Sequence, residues 1–337
     1  MMKWLALGSA ILTWPLISFG AFVRLKGAGL ACPDWPLCYG QLIPPPGYEI
    51  SLEVGHRFIA TLLGMLIIVM VILAFSRPHY REYRKISLVC LIMVLIQGIL
   101  GGLTVTMLLN PYIVTGHLIG GNLTFALLVY FAWKTFHLNK HPRTFSWVRC
   151  SSWSPMTKKI AGMALVLTII LISGGKNSTT YSGYSCSAFP GCHSGAPFSM
   201  AIPAPDGSPN VPEAFVGQFM PNHFNEWVHM LHRFFAIFGG TWLMFMAWQL
   251  HKSSPLPGIR HVGCAILLLI PLEVLVGVVN ALYRIPVPVS ALHTAVAATL
   301  VGLIAYALSE SALLSSERKS ASTEQIIARP TRTGITA

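Results

Sequence analysis

Long stretches without a charged residue constrain this chain more than any other feature. Residues 86–133 contain no Asp, Glu, Lys or Arg. A membrane-spanning helix needs about 20 apolar residues, so this stretch is long enough for two crossings. Asn110-Pro111 divides it, because proline disfavours a continuous helix. Only 10% of the whole chain is charged, against about 25% in soluble domains. We therefore predict a polytopic membrane protein, since soluble dehydrogenases and nucleic-acid-binding domains fit this composition poorly.

The apolar stretches predict eight transmembrane helices. The first, at 4–23, lacks a clear small-residue cleavage site and is followed by more spans, so we interpret it as a retained helix and not as a signal peptide. The others are predicted at 58–76, at 86–133 as a hairpin of two, and at about 160–175, 227–250, 262–283 and 286–309.

The basic residues predict how the helices are oriented. Cytoplasmic loops are enriched in Lys and Arg, and 17 of the 23 lie in the loops 77–85, 134–159 and 251–261 or in the two tails. Both termini are therefore expected on the cytoplasmic side of the cell (inner) membrane, with the alternate loops outside. The net charge of +12 is thus a topology signal, and nucleic acid is not expected as a partner.

The two halves of the chain repeat one another at a fixed spacing. His56-Arg57-Phe58 recurs 176 residues later as His232-Arg233-Phe234, and His117 recurs as His293. The stretch from Gln97 recurs from Glu273 at the same spacing. Three matches at one spacing indicate a duplication. Four helices return the chain to its starting side, so the repeats are parallel.

The predicted fold is an all-α polytopic membrane protein with eight transmembrane helices in two pseudo-symmetric four-helix bundles. The boundaries follow from the spans and the repeat: an N-terminal half at 1–135, a cytoplasmic linker at 136–159, a C-terminal half at 160–310 and a cytoplasmic, disordered tail at 311–337.

The four repeated histidines are the candidate ligands of a metal centre. His56, His117, His232 and His293 each lie near the outer start of a helix, and the two in each half are 61 residues apart. A single such histidine is usually a hydrogen-bonded packing residue, but ionisable groups inside membranes are costly and are functional candidates. Two pairs favour metal or haem ligation. Haem is preferred, because zinc requires three or four clustered ligands, whereas two facing imidazoles hold a haem iron axially.

Other residues near these histidines suggest how a haem would be accommodated. Arg57 and Arg233 are possible partners of the haem propionates, or else arginines that extend to the membrane interface. Small residues that would let a flat ring approach the backbone are Gly55, Gly116, Gly120 and Gly121.

Glu53 makes the two halves unequal. It precedes His56 by three residues, so the two share a helix face, and its repeat counterpart is His229. A carboxylate there can accept protons or stabilise positive charge on a substrate, or it can be an ordinary acidic residue at a helix start. Gln97 and Glu273 either tie helices together, which we favour, or relay protons.

Two pairs of cysteines have the same spacing. Cys32 and Cys38 are separated by five residues, as are Cys186 and Cys192, 154 residues later. Both pairs fall in predicted outer loops, where disulfides are permitted, and a transient redox dithiol is the alternative role. Cys90, Cys150 and Cys264 are predicted to be free thiols.

These motifs together resemble the haem A synthase family. The residues that carry the resemblance are the segment 24–40, Glu53-x-x-His56-Arg57, the segment 97–105, His117 and their counterparts in the second half. The resemblance covers about residues 1–310, and the segment with Cys32 and Cys38 is its most specific part.

Membership of that family would imply an eight-helix enzyme that oxidises a methyl group of haem O to the formyl group of haem A through a hydroxymethyl stage. It further implies that His232 and His293 hold a resident haem b, that His56 and His117 hold the substrate haem O, and that Glu53 lies beside the reacting methyl group. Haem O synthase, cytochrome oxidase assembly factors, an unidentified electron acceptor and a second copy of the chain are the partners expected.

Two other functions would use the same histidines. A two-haem b-type cytochrome would only transfer electrons and would not need Glu53. A haem carrier would release its haem chemically unchanged.

Overall fold

The computed structural model of the protein describes residues 1–137, 153–194, 198–201 and 220–327, with side chains as far as residue 312. Eight helices in this part are long and apolar enough to cross a membrane. They are α1 (Met2–Leu25), α2 (Tyr48–Ser76), α3 (Arg84–Thr106), α4 (Pro111–His137), α5 (Pro155–Thr179), α6 (Phe224–Ser253), α7 (Pro257–Leu282) and α8 (Val287–Ile327). The predicted all-α membrane fold with eight spans is confirmed.

Two helix boundaries differ most from those predicted. Helix α2 begins at Tyr48, ten residues before the predicted start, because the prediction followed uncharged residues and the first turns carry Glu49, Glu53 and Arg57. Helix α8 continues to Ile327, past the predicted start of the tail. Its residues 311–327 contain neither proline nor glycine, so nothing in the local sequence ends the helix. The predicted linker lies partly, and residues 328–337 of the tail lie wholly, outside the described residues.

The helices form two rings of four. In the first half α1 contacts α2, α2 contacts α3, α3 contacts α4, and α4 closes the ring against α1. Helices α5 to α8 contact one another in the same order, and α8 closes against α5. Between the rings α4 packs on α5, α1 packs on α8, and α4 packs on α8. These contacts map onto themselves when the halves are exchanged, as a parallel repeat requires.

The turns between paired helices repeat as well. Leu108 and Leu109 have φ angles of 48° and 57°, and their counterparts Arg284 and Ile285 have 56° and 60°. Non-glycine residues rarely adopt this left-handed conformation. Each turn is closed by one backbone hydrogen bond of 2.8 Å, from Leu109 to Thr104 and from Ile285 to Asn280. The same conformation at equivalent positions supports the duplication.

The loops with paired cysteines close over one end of the helix bundle, which we call the cysteine end. Cys32–Cys38 and Cys186–Cys192 are disulfides, with Cα atoms 4.8 and 4.4 Å apart, so both predicted pairs are confirmed. In the second loop, strand β1 (Ala188–Phe189) pairs with β2 (Met200–Ala201) in antiparallel register. Cys90 is free and buried and Cys264 is free and exposed, whereas Cys150 lies outside the described residues.

Candidate functional site

The four predicted histidines lie at similar distances from the helix starts. His56 and His232 follow the first residues of α2 and α6 by eight positions, and His117 and His293 follow the starts of α4 and α8 by six. At 1.5 Å per residue these offsets are about 12 and about 9 Å. The histidines therefore form two levels that are close in depth, beneath the cysteine end.

The structure brings the histidines together in two pairs. His56 and His117 are within electrostatic range of each other, as are His232 and His293. His229 lies one helical turn before His232 on α6 and is a second histidine near this pair, but it faces the backbone of Ser182. His232 is thus the residue of α6 whose place matches that of His56.

A glycine on a neighbouring helix lies against each of the four imidazoles. A Cβ atom added to Gly20 would lie 2.9 Å from Cε1 of His56, and one added to Gly174 would lie 2.9 Å from Cε1 of His232. Cβ atoms added to Gly101 and Gly277 would lie 3.5 and 3.4 Å from Cε1 of His117 and His293, respectively. Any larger residue at the first two positions would displace the ring.

The glycines expected from the sequence have other neighbours. A Cβ on Gly120 or Gly121 would meet the side chain of Gln97, one on Gly55 would meet Phe19, and one on Gly116 would meet nothing within 4 Å. Gly20 and Gly174 are 154 residues apart, the same spacing as the cysteine pairs. The 154-residue spacing of the cysteines, applied to the first helix, therefore identifies Gly20 and Gly174 as equivalent positions.

Glu53 is buried and its two carboxylate oxygens have different donors. Oε2 accepts a 2.8 Å hydrogen bond from the backbone N–H of Cys32, and Oε1 accepts one of 2.5 Å from Arg57. The exposed fraction of Glu53 is only 5%, so the carboxylate is held in one orientation. It connects the first disulfide loop to the helix that carries His56.

Arg57 also binds the first disulfide loop, through the terminal nitrogen that does not contact Glu53. Nη1 donates to the backbone carbonyl of Leu37 at 2.6 Å and to that of Asp34 at 3.0 Å. Across the same loop, the backbone N–H groups of Gly40 and Tyr39 donate to the Asp34 carboxylate. These bonds, the one from Gly40 foremost, lower the pKa of Asp34, because hydrogen bonds to the charged form favour it.

Arg233 makes equivalent contacts in the second half. Its Nη1 donates to the carbonyls of Ala188 and Gly191 at 2.7 and 2.8 Å, which are the counterparts of Asp34 and Leu37 at the 154-residue spacing. The two arginines therefore secure the disulfide loops, a role that the sequence interpretation missed. Among the described residues, Nε and Nη2 of Arg233 are buried without a hydrogen-bond partner, so they remain free to bind a carboxylate such as a haem propionate.

The polar groups next to the Nδ1 atoms of the imidazoles distinguish the two halves. Nδ1 of His232 is hydrogen-bonded to Oγ of Ser173 at 3.0 Å. Nδ1 of His293 makes no hydrogen bond of good geometry to the residues described, but it lies 3.1 Å from Oε1 of Glu273. Within the described part of the chain, Nδ1 of His56 and Nδ1 of His117 are buried and have no such partner. The Gln97 side chain, the counterpart of Glu273, has no hydrogen-bond partner there either.

The donor set fits a haem held between two imidazoles. Each half supplies two partly buried histidines next to glycines that leave room at the ring, and neither pair belongs to a cluster of three His, Cys, Asp or Glu ligands among the described residues. The one such cluster found there is Cys192, His193 and Glu226, and Cys192 is bound in a disulfide. Two axial imidazoles are typical of b-type haem sites.

Comparison with known proteins places this arrangement in a family. Residues 3–305 match the family model described as "Cytochrome oxidase assembly protein". The chain is 30% identical over 329 residues to a haem A synthase of Shewanella oneidensis, covering 89% of this chain and 93% of that protein.

More distant relatives have the same name. A haem A synthase of Bacillus pumilus is 25% identical over 293 residues, with 85% of this chain and 87% of the relative covered. One of Geobacillus kaustophilus is 22% identical over 311 residues, with coverages of 91% and 90%. The similarity therefore extends over both halves of the chain.

Proposed function

The chain belongs to the haem A synthase family of cytochrome oxidase assembly proteins, and from that membership we propose that it oxidises a methyl group of haem O to the formyl group of haem A. It is a multi-pass membrane enzyme that acts on haem. The proposed reaction passes through a hydroxymethyl stage. If water supplies the oxygen, conversion of the methyl to the formyl group releases four electrons and four protons.

The single observation that carries the assignment of the two sites is the position of Glu53. It lies one helical turn from His56, on the same face of α2, whereas the C-terminal half has His229 at the equivalent position. A fixed carboxylate beside the substrate can stabilise positive charge that develops at the reacting carbon. This supports the N-terminal half, 1–135, as the substrate site, with His56 and His117 as ligands of haem O.

The C-terminal half, 160–310, is proposed to hold a resident haem b through His232 and His293. When bound, that haem would supply one-electron transfer. Arg233 would bind a propionate with Nε and Nη2, the atoms that the second disulfide loop leaves unused. Arg57 has less capacity for that role, because Nη1 binds loop carbonyls and Nη2 binds Glu53.

The proposed orientation puts both termini in the cytoplasm and the cysteine end on the outer side. It rests on the excess of Lys and Arg in the loops opposite the cysteine end, and two disulfides at the cysteine end suit an oxidising compartment. Haem O synthase, cytochrome oxidase assembly factors and an electron acceptor are the proposed partners, and self-association is part of the proposal.

The decisive experiment is production of haem A by the full chain. The protein is expressed in a host that makes haem O but lacks its own haem A synthase, and the extracted pigments are identified by mass and by pyridine haemochrome spectra. We expect haem A with the parent chain and none with the His56→Ala/His117→Ala variant. Unchanged haem O would support a carrier, and bound haem b with no formyl haem would support an electron-transfer cytochrome.

A further inference from the structure

Ser173 fixes the tautomer of His232. The Ser173 hydroxyl donates to the carbonyl of Ile170 at 2.8 Å, so its oxygen is left as the acceptor toward Nδ1 of His232, 3.0 Å away. A neutral imidazole has one N–H and one lone pair. If Nδ1 carries the hydrogen, the lone pair is on Nε2, the nitrogen available for iron.

Glu273 lies beside the same nitrogen of His293. Oε1 of the carboxylate lies 3.1 Å from Nδ1 of the ring, although Nδ1 makes no hydrogen bond of good geometry among the described residues. A carboxylate only accepts hydrogen bonds, so it favours a hydrogen on Nδ1. Both imidazoles of the C-terminal half are therefore set to present Nε2. Such outer partners of ligating histidines fix the ring and strengthen the ligand.

The N-terminal half has different residues at both equivalent positions. Phe19 takes the place of Ser173, and its ring centroid lies 6.0 Å from that of His56. Gln97 takes the place of Glu273. In the described residues its amide makes no hydrogen bond, and neither does Nδ1 of His117. Among the residues that the structure describes, no polar group is hydrogen-bonded to Nδ1 of either imidazole in this half.

We propose that Ser173 and Glu273 are positioning residues that make the C-terminal half a site of permanent haem binding, and that Phe19 and Gln97 leave the N-terminal half free to exchange its porphyrin. This rests on the proposed function, in which one haem is resident and the other is substrate and product. A site that must release its product gains from ligands that are not held in place. A permanent site gains from ligands that are.

The rate of haem loss from the full-length protein tests the proposal. In a His56→Ala/His117→Ala background, only the C-terminal half retains its histidine pair. Its haem is then followed by absorbance as it transfers to excess apomyoglobin. We expect Glu273→Gln and Ser173→Ala each to accelerate the loss by about 10- to 100-fold, the range in which outer partners change metal affinity. The midpoint potential of the haem should rise in Glu273→Gln, because a weaker ligand favours ferrous iron.

Two controls separate positioning from general loosening. Ser173→Thr keeps the hydroxyl and should retain haem at the parent rate. Thr168→Ala removes a hydroxyl of α5 that donates to the carbonyl of Ala164 within the same helix and should also have no effect. In a His232→Ala/His293→Ala background, Gln97→Glu should slow the loss of haem from the N-terminal half.

Haem-loss rates of Glu273→Gln and Ser173→Ala within twofold of the parent rate, together with an unchanged midpoint potential in Glu273→Gln, would overturn the proposal. Its failure is distinct from failure of the proposed function. If the parent protein makes haem A but the variants retain haem as the parent does, only this inference is wrong. If the variants lose haem faster but the parent protein makes no haem A, only the proposed reaction is wrong.

Discussion

The backbone N–H of Cys32 donates a 2.8 Å hydrogen bond to the carboxylate of Glu53. The first disulfide loop is thereby attached to the helix that carries His56. Anything that moves this loop also moves the carboxylate beside the proposed substrate site. The cysteine end and the site beneath it therefore act as one unit in the N-terminal half.

Glu53→Gln is expected to reduce haem A formation by about 100-fold or more, within the range attributed to a catalytic carboxylate. The new amide carries no charge. It also has one acceptor oxygen in place of two, so it can no longer accept hydrogen bonds from both Cys32 and Arg57, and one of the two is lost. Haem A per mole of purified protein gives the measurement. Glu49→Gln, an exposed glutamate in the first turn of α2, should have the activity of the parent. A fully active Glu53→Gln protein would disprove the role proposed for Glu53.

Arg57→Ala is expected to destabilise the protein by on the order of 3 kcal/mol. It removes hydrogen bonds from a charged donor to two loop carbonyls and leaves the buried Glu53 without its cation. Unfolding can be followed by dye labelling of buried Cys90, with Cys150 and Cys264 replaced by serine. Arg77→Ala, just past the opposite end of α2, is the matched control. Equal stability of the two variants would refute the loop-securing role.

Gly20→Ala is expected to weaken porphyrin binding in the N-terminal half. The added methyl group would lie 2.9 Å from Cε1 of His56, closer than van der Waals contact, so the imidazole must move. Gly8→Ala on the same helix meets nothing within 4 Å and is the control. Titration of each purified variant with haem O measures the effect, and equal affinities would show that the ring is not held against Gly20.

His232→Ala is expected to lose the haem of the C-terminal half, whereas His229→Ala should keep it. His232 is the residue packed on Gly174, and His229 faces the backbone of Ser182. Haem content by pyridine haemochrome, together with the low-spin spectrum of the bis-imidazole iron, distinguishes the two. Loss of haem in His229→Ala alone would reverse the assignment of the ligand.

The first disulfide loop is expected to loosen in acid. Hydrogen bonds from Gly40 and Tyr39 lower the pKa of Asp34 in the folded protein, so its stabilising effect is present above the unfolded value of about 3.9 and is lost as the pH falls through the folded pKa. Hydrogen exchange of the Tyr39 and Gly40 amides, corrected for the intrinsic rate, should accelerate below about pH 4. In Asp34→Asn the exchange should be faster at neutral pH and lack this acid-induced rise.

The sequence alone predicted the spans, the disulfides and the pairing of the histidines, because each depends on a strong local or periodic signal. Runs of uncharged residues mark helices that cross a membrane, and the spacing of 176 residues identifies His117 and His293 without any structure. The start of α2 at Tyr48 was missed because charged residues occupy its first turns.

The contacts around the histidines were not predictable in the same way. Arg57 was expected either to bind a propionate or to extend to the membrane interface, but its guanidinium binds backbone carbonyls that no side-chain pattern reveals. Gly20 and Phe19 lie on another helix than His56, so their proximity depends on how α1 packs against α2. Equivalent residues of the two halves are 154 positions apart in the first helix and loop and 176 positions apart afterwards. A search at 176 alone therefore misses the equivalent residues of the first helix, such as Gly20 and Gly174.

The self-matching contacts of α1, α4, α5 and α8 have an evolutionary consequence. Two identical four-helix chains could form the same interface as an isologous dimer, in which each subunit contributes the same surface. After fusion of two such copies into one chain, the sequences of the two halves could diverge independently. One copy could then keep its bound pigment while the other acquired an acidic residue and a new chemistry, so that a symmetric ancestor became an asymmetric enzyme without a change of fold.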